Sequence, residues 1–467
     1  MAEIKEKNRI EEQKKKVFDK KPQVNLVSAC GVKNGIIKMD QVSVDYFTTL
    51  FDKSNFSFCY FIPASGSGSR MFQFLYEFLN KPDSKNVMQI EKFFNHLNQF
   101  AFYSFLPNEI QKEELLDSEN IKNIILFILE KNGLNYSHFP KGLIPFHSIG
   151  PFVLNPFQEQ IVQAIRIKEQ NLSIHFTINN DFEKEIENSI QNVLRFNYKK
   201  VDYSFSYQNP NTDSFAFYKD GELVYEKDDQ AFKKPSGHGA LLDNLQKITS
   251  DIIFLKNIDN IQNYKKSDSS TTYIKVLSGI VLEFRSVMKK LFENPTLDYL
   301  TEVNQQYKLF PENNIPNLTK KEIQALANKP IRVCGMIKNE GQPGGGPFWV
   351  NHNGIIHKQI IEKSQIEGNV NQLTLLANSS HFNPVMMACC IKDLEGNLIN
   401  LVKYAELSEY FIIEKKHKGK SIFFIELPGL WNGSMAHWNT IFVEVPSETF
   451  SPVKTVLDLL EPAHLED

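Results

Sequence analysis

The chain has 467 residues, 42% of them apolar, and its 52 basic and 55 acidic side chains leave a net charge of −3. That length allows about three domains, or one large α/β domain with additions, and the apolar share supplies a sizeable core. The near-balance of charge argues against a basic nucleic-acid-binding surface and against a polybasic membrane patch, so neither partner is expected.

Residues 1–22 are charged throughout and lack the apolar stretch of a signal peptide. They read as a solvated helix, the start of a helical extension over 1–50 ahead of an α/β domain over 51–455, with 456–467 as a tail. No run of about 18 apolar residues predicts a transmembrane helix. The five cysteines (Cys30, Cys59, Cys334, Cys389, Cys390) are odd in number and show no C-x-x-C spacing. This argues against a disulfide framework or a zinc site and for a reducing cytoplasm.

Residues 56–63 (FSFCYFIP) form an apolar run that fits a buried strand of a mostly parallel sheet. Residues 71–79 continue with helical spacing, so this region reads strand, glycine loop, helix. Residues 87–133 look helical, with breaks near Pro107 and Asp117, and predict a helical insertion at about 80–133. Further strands are expected at 143–146 and 173–178, and a helix at 181–194 with Phe182, Ile186, Ile190 and Val193 on one face. A predicted helix over 240–248 precedes a strong strand at 251–258. Residues 273–309 look mainly helical, and the polar, proline-bearing stretch 305–317 reads as a boundary between halves. Strands at 331–337 and 355–361 flank a glycine-rich loop, 341–346, and residues 422–445 alternate strand runs with a turn-rich insertion. The alternation of strand and helix predicts an α/β layered fold with a central mixed sheet flanked by helices.

The chemistry begins at residues 63–71 (PASGSGSRM). Gly66 and Gly68 let the backbone turn tightly and approach an anion. The amides of Ala64, Ser65, Gly66, Ser67, Gly68 and Ser69, together with the following helix start, suit a phosphate. Arg70 adds a bidentate charged contact. Taken by itself, the segment is equally a tight connection. Its residues resemble the opening of sugar-nucleotide pyrophosphorylases, a strand followed by Leu-Ala-Gly-Gly-x-Gly-Thr-Arg-Leu. Ala64, Gly66, Gly68, Ser69 and Arg70 match, whereas Pro63 and Ser65 depart. That family then carries a Pro-Lys pair whose lysine faces the triphosphate. Pro140 and Lys141 resemble it, across a far longer gap that the helical insertion would fill.

Residues 234–239 (KPSGHG) and 257–260 (NIDN) resemble two segments of the uridylyl-transferring pyrophosphorylases, the UTP–glucose/N-acetylglucosamine-1-phosphate uridylyltransferase superfamily. There a Pro-x-Gly-(His/Asn)-Gly segment lies against the nucleotide base, and a later strand ends in (Val/Ile)-Asp-Asn. The resemblance implies base contacts from Gly237, His238 and Gly239, and a Mg²⁺ held by Asp259. A carboxylate at a strand's C-terminal edge suits that ion, which stabilises the charge that builds on phosphate oxygens. Each segment also fits a plain turn, and His238 a structural histidine.

The likeness continues downstream. Residues 332–340 and 361–366 resemble the family's paired strands, which makes Glu362 the sugar-contacting glutamate. Residues 381–385 (HFNPV) resemble its Asn-His-Phe-Phe segment, with Asn383 as a sugar contact. Met386 and Met387 stand where an acidic second metal ligand would have followed, and they read as core. Residues 442–454 resemble Phe-Glu-Val-x-Arg-x-x-Glu-Phe-(Ser/Ala)-Pro-(Leu/Val)-Lys-Asn, with Lys454 at the phosphate-reaching lysine. Residues 429–438 (GLWNGSMAHW) have no counterpart, and their tryptophans suit stacking on a sugar or base, or a packed loop. The whole pattern also resembles an uncharacterised bacterial family, a domain of unknown function (DUF4301).

The resemblance implies a fold of the glycosyltransferase-A (Rossmann-like) type. It also implies a Mg²⁺-dependent reaction of nucleoside triphosphate, UTP favoured, with a sugar 1-phosphate to give an NDP-sugar and pyrophosphate. Arg70, Lys141 and Lys454 would neutralise charge in transit. The rivals are a non-catalytic nucleotide or sugar-nucleotide binder on the same fold, and an interaction protein using the aromatic-rich helices near 93–106.

Overall fold

The computed structural model describes residues 2–19, 24–80, 84–112, 118–168, 170–195, 201–226, 230–341, 344–366 and 370–466. The chain divides into two compact units. The first comprises residues 1–54, 208–253 and 276–445, and the second residues 55–207, 254–275 and 446–467. Three chain segments build each unit, so both depend on contacts between residues far apart in sequence.

The second unit is organised around three parallel strands, Phe58–Pro63, Leu172–Ile178 and Asp202–Tyr207. Phe58 pairs with Leu172 and Ser173 with Asp202, so all three run toward a common edge where Pro63, Ile178 and Tyr207 end. The first is buried from Phe58 to Ile62 on both faces, which is why it reads as an unbroken apolar run. The helix Pro156–Ile167 is started by Asn155, whose side chain accepts from the Gln158 N–H while Gln158 reaches back. The expected strand at 143–146 is instead a 3-10 turn, Lys141–Leu143, with the strand beginning at His147. Gln73–Asn80 is the helix expected after the glycine loop, and the helical insertion holds Ser84–Asn95, Asn108–Lys112 and Ser118–Leu129. Its core stacks Phe93, Phe100 and Phe102, sets Tyr136 edge-on to Phe102, and takes in Val453, Val456, Leu457 and Leu459 from the chain's last segment.

The first unit carries a mixed sheet. Ile331–Lys338 pairs parallel with Asn439–Glu444 and antiparallel with Met386–Cys390, and Asn439–Glu444 pairs parallel with Ile36–Ile37. Met386 and Met387 are fully buried in it, as read. A hairpin of Gly346–His352 and Ile355–Ile361 adds Leu26–Ala29 at its edge. A third sheet joins Phe411–His417, Lys420–Glu426 and Phe217–Tyr218.

Three further expectations change. The N-terminal helix, Ala2–Phe18, is anchored rather than solvated. Val17 packs with Phe215, Phe217, Tyr410 and Ile425, and the Gln13 side chain accepts from the Phe215 N–H at 2.7 Å. Its apolar positions were too few for the charged pattern to reveal this face. Residues 305–317 lie inside the first unit, where the Asn304 side chain bonds both the N–H and the C=O of Phe310. The helix expected at 240–248 shrinks to the short turns His238–Leu241 and Leu242–Leu245. Residues 342 and 343 of the glycine-rich loop, and 81–83 and 113–117 of the insertion, lie outside the described residues. Among the described residues the five cysteines are buried and none is in a disulfide, and no helix is long and apolar enough to cross a membrane.

Candidate active site

At the C-terminal edge of the parallel strands, residues 63–71 leave Phe58–Pro63 and turn into the 3-10 helix Gly68–Phe72, which runs on into Gln73–Asn80. The Ala64 N–H is held by the Thr177 carbonyl at 2.8 Å, and the Ser67 hydroxyl caps the turn by accepting from the Ser69 N–H at 3.2 Å. Ser65, Gly66, Ser67 and Arg70 are exposed, so the loop's crest faces solvent. The two glycines serve different ends. A methyl group at Gly66 would meet nothing within 4 Å, whereas at Gly68 it would come 2.5 Å from Ile144 and 2.8 Å from the Phe139 carbonyl. Gly66 therefore leaves room for an incoming group, and Gly68 lets residues 139–144 close against the loop.

That closure brings Lys141 in. The Gly68 N–H donates to Phe139 at 3.0 Å, and the Lys141 N–H donates to Gly66 at 3.0 Å. The Lys141 ammonium then donates to Asp259 Oδ2 at 2.9 Å and to the Val453 carbonyl at 2.6 Å. Residues 257–262 are pinned to the loop's root by the Ile258 N–H on the Pro63 carbonyl (3.2 Å). Residues 450–454 are pinned to Asp259 in turn. The Val453 N–H donates to the Asp259 carbonyl at 3.0 Å, and the Ser451 N–H donates to the Asn260 side chain at 3.0 Å. Lys454, the next residue, is exposed, and its N–H is held by Asp458 at 2.7 Å. Four distant segments thus converge, and Arg70, Lys141, Asp259 and Lys454 all belong to this one unit.

The Lys141 and Asp259 side chains are 13% and 16% exposed, so their attraction is only partly screened by water. Asp259 presents one carboxylate, and among the described residues no group of three His, Cys, Asp or Glu ligand atoms surrounds it. Mg²⁺ commonly takes one or two carboxylates and completes its shell with phosphate and water oxygens, so this donor fits such an ion once a phosphate is present.

A second cluster lies in the first unit. Gly237 adopts φ +70°, which positions His238 at the start of its short helix. His238 stacks on Trp431 with ring centroids 3.9 Å apart at 12°, and its Nδ1 accepts from the Leu430 N–H at 2.8 Å. Nδ1 is thus the acceptor and Nε2 the protonated nitrogen. Burial pushes this imidazole down to about 4. Gly239 is small because the carbonyls of Leu427 and Pro428 close over it. Glu362 is raised from its ordinary range by burial and then by the neighbouring Glu426 charge, against hydrogen bonds from Trp431 and Asn432. Gly345 lies against Glu362, and its carbonyl accepts from the Asn383 N–H at 2.8 Å. The Asn383 oxygen itself is committed to the Val385 N–H at 3.0 Å, supporting that residue's positive φ.

Sequence reasoning missed Glu426, Asn432 and the specific place of Trp431. The tryptophans in residues 429–438 were a signal for stacking. Trp431 stacks on His238, whereas Trp438 is 4% exposed and packs internally. For Glu426 no local signal existed.

A family model described as a domain of unknown function (DUF4301) matches residues 2–465. No curated protein matches the chain. Among solved structures, the uridine diphosphate N-acetylglucosamine pyrophosphorylase of Trypanosoma brucei aligns over 93% of this chain and 72% of its own at 12% identity, with a TM-score of 0.50. The putative UDP-N-acetylglucosamine pyrophosphorylase of Entamoeba histolytica covers 89% and 80% at 12% identity with a TM-score of 0.45. A Leishmania major UDP-glucose pyrophosphorylase mutant covers 94% and 69% at 12% identity with a TM-score of 0.43. At such identities the first likeness speaks to the fold, a mixed α/β architecture.

Proposed function

The chain belongs to the family described as a domain of unknown function (DUF4301), and on that premise we propose that it is a nucleotidyltransferase of the glycosyltransferase-A fold type. It would join a nucleoside triphosphate, UTP favoured, to a sugar 1-phosphate. The observation that carries this reading is Lys141, drawn across a long insertion to bridge the glycine loop, Asp259 and Val453. The name of the Trypanosoma brucei structure supports the substrate class.

In the proposed reaction an oxygen of the sugar phosphate forms a bond to the α-phosphorus while the bond to the β-phosphate breaks, and pyrophosphate leaves. The exposed amides of Ser65, Gly66 and Ser67 would hold the triphosphate, since those of Ala64, Gly68 and Ser69 are already committed to the Thr177 and Phe139 carbonyls and the Ser67 hydroxyl. Arg70, Lys141 and Lys454 neutralise charge as it moves onto the departing oxygens, the kind of fixed electrostatic support that costs no reorganisation. A Mg²⁺ at Asp259 would supply further charge neutralisation and a template for the phosphates. No covalent enzyme intermediate is needed, since positioning suffices for in-line transfer. In the first unit, Gly239 is closed over by the Leu427 and Pro428 carbonyls and Asn383 is committed to Val385, while Gly237 and His238 are proposed to meet the base and Glu362 the sugar. Their aromatic face and buried carboxylate suit a flat ring and hydroxyl groups.

Pyrophosphate release over a panel of nucleoside triphosphates and sugar 1-phosphates tests this. Turnover highest with UTP is expected, and Lys141→Ala should lower kcat by about 10²- to 10³-fold. The same Lys141–Asp259 pair favours a second reading, a non-catalytic binder, because the lysine already neutralises the carboxylate. No turnover with any pair, with UTP still raising the melting temperature, would select it.

A further inference from the structure

We propose that His352, Glu406 and His437 form a binding site for a transition-metal ion of the Zn²⁺ class, independent of the nucleotidyl-transfer reading. Glu406 Oε2 lies 3.2 Å from His352 Nε2 and 3.4 Å from His437 Nε2. All three ligand atoms lie within 4.8 Å of one another. Around a tetrahedral zinc with bonds of about 2.0–2.1 Å, neighbouring ligand atoms sit about 3.3 Å apart. Both measured separations match that edge. Two imidazoles and a carboxylate are a zinc ligand set, and three protein ligands leave a fourth position open.

The ligands are held in advance. His352 ends the strand Gly346–His352 just before a turn in which Asn353 and Gly354 both have positive φ. The Glu406 N–H donates to the Gly433 carbonyl at 2.8 Å, and the His437 N–H donates to the Tyr404 carbonyl at 3.1 Å, so residues 404–406 and 433–437 are tied together. Ser408 clamps the other oxygen of Glu406, with its N–H at 3.1 Å and its hydroxyl at 2.6 Å, which turns Oε2 toward the histidines. This is the outer-shell support that metal ligands use. His357 lies nearby, ring centroids 5.7 Å from His437, but its Nε2 is engaged by the Gln359 side-chain amide at 2.8 Å and is not a ligand.

The site adjoins a cavity of about 300 Å³. His352 and His437 form part of its wall, together with Phe310, Leu326, Lys329 and Trp438. The Trp438 indole N–H has no partner among the described residues. A water or a small anion on the fourth position would enter from this cavity, where Lys329 supplies charge.

Zn²⁺ titrated calorimetrically into the chelator-stripped full chain is expected to bind at one ion per chain, and His352→Gln, Glu406→Gln and His437→Gln to weaken it at least about 100-fold. His138→Gln, an exposed control, should leave it unchanged. Co²⁺ bound to the unaltered chain should show the intense visible bands of a four-coordinate ion, a readout that needs no variant to fold. Absence of stoichiometric Zn²⁺ binding, weak six-coordinate Co²⁺ bands, or undiminished binding by a folded His352→Gln/His437→Gln chain would each overturn the site and leave the trio a hydrogen-bonded cluster.

Discussion

Single positions carry distinct physical loads in the glycine loop. Gly68 has no space for a methyl group, and Gly66 has open space above it. Gly68→Ala should cost about 1–3 kcal/mol by overpacking. Gly66→Ala should leave the urea midpoint unchanged and weaken nucleotide binding instead, and equal effects on both readouts would contradict this division of labour. His238 offers a titration. Its folded value of about 4 lies below the ordinary imidazole range near 6.5, so folding favours the neutral ring. Its contribution is present above about pH 6.5 and is lost as pH falls toward about 4. Within that window one such group adds a slope of about 1.4 kcal/mol per pH unit. Urea unfolding from pH 7 to 4 should show a shallower acid loss for His238→Gln than for the parent, and identical slopes would refute the assignment. The Gly-His-Gly setting left His238 open between a base contact and a structural turn histidine. Its partner Trp431 was not legible, because stacking between residues so far apart leaves no local pattern.

At the scale of elements, the sequence showed periodicity well and docking poorly. Phe58–Pro63 was legible because a strand buried on both faces is apolar almost throughout, and Leu172–Ile178 because its apolar residues alternate with Ser173, His175 and Thr177. Ala2–Phe18 was legible as a helix, but the burial of Val17 and Gln13 was not, since they are two positions among many charges. Val17→Asp should destabilise the chain by about 2–4 kcal/mol, because it would bury a charge against Phe215, Phe217 and Tyr410. An unchanged urea midpoint would mean that the helix is not anchored. The 3-10 turn Lys141–Leu143 replaced an expected strand. The apolar run at 143–146 serves the core, where Ile144 and Phe146 are buried, rather than a ladder of hydrogen bonds.

Across the whole molecule, each unit is assembled from segments that the chain order separates. Residues 446–467 illustrate the consequence. Val456 and Leu459 are buried in the core of the helical insertion, and His464 closes a buried chain from Glu159 through His147. Removing residues 456–466 should therefore open residues 55–207 to proteolysis, while the first unit keeps its protection. Retained protection of both would show this segment to be dispensable. The sequence by itself determined the apolar strands and the glycine loop, whereas Arg70, Lys141 and Lys454 as phosphate contacts and Asp259 as a Mg²⁺ ligand rest on the family resemblance. The strands and the loop follow from local chemistry and short-range spacing. Only the tertiary structure decided that the Lys141 ammonium meets Asp259, that Glu362 shares its surroundings with Glu426 and Trp431, and that His352, Glu406 and His437 converge. Side-chain contacts across long chain separations are set by how the sheets and turns close, and no local periodicity encodes them.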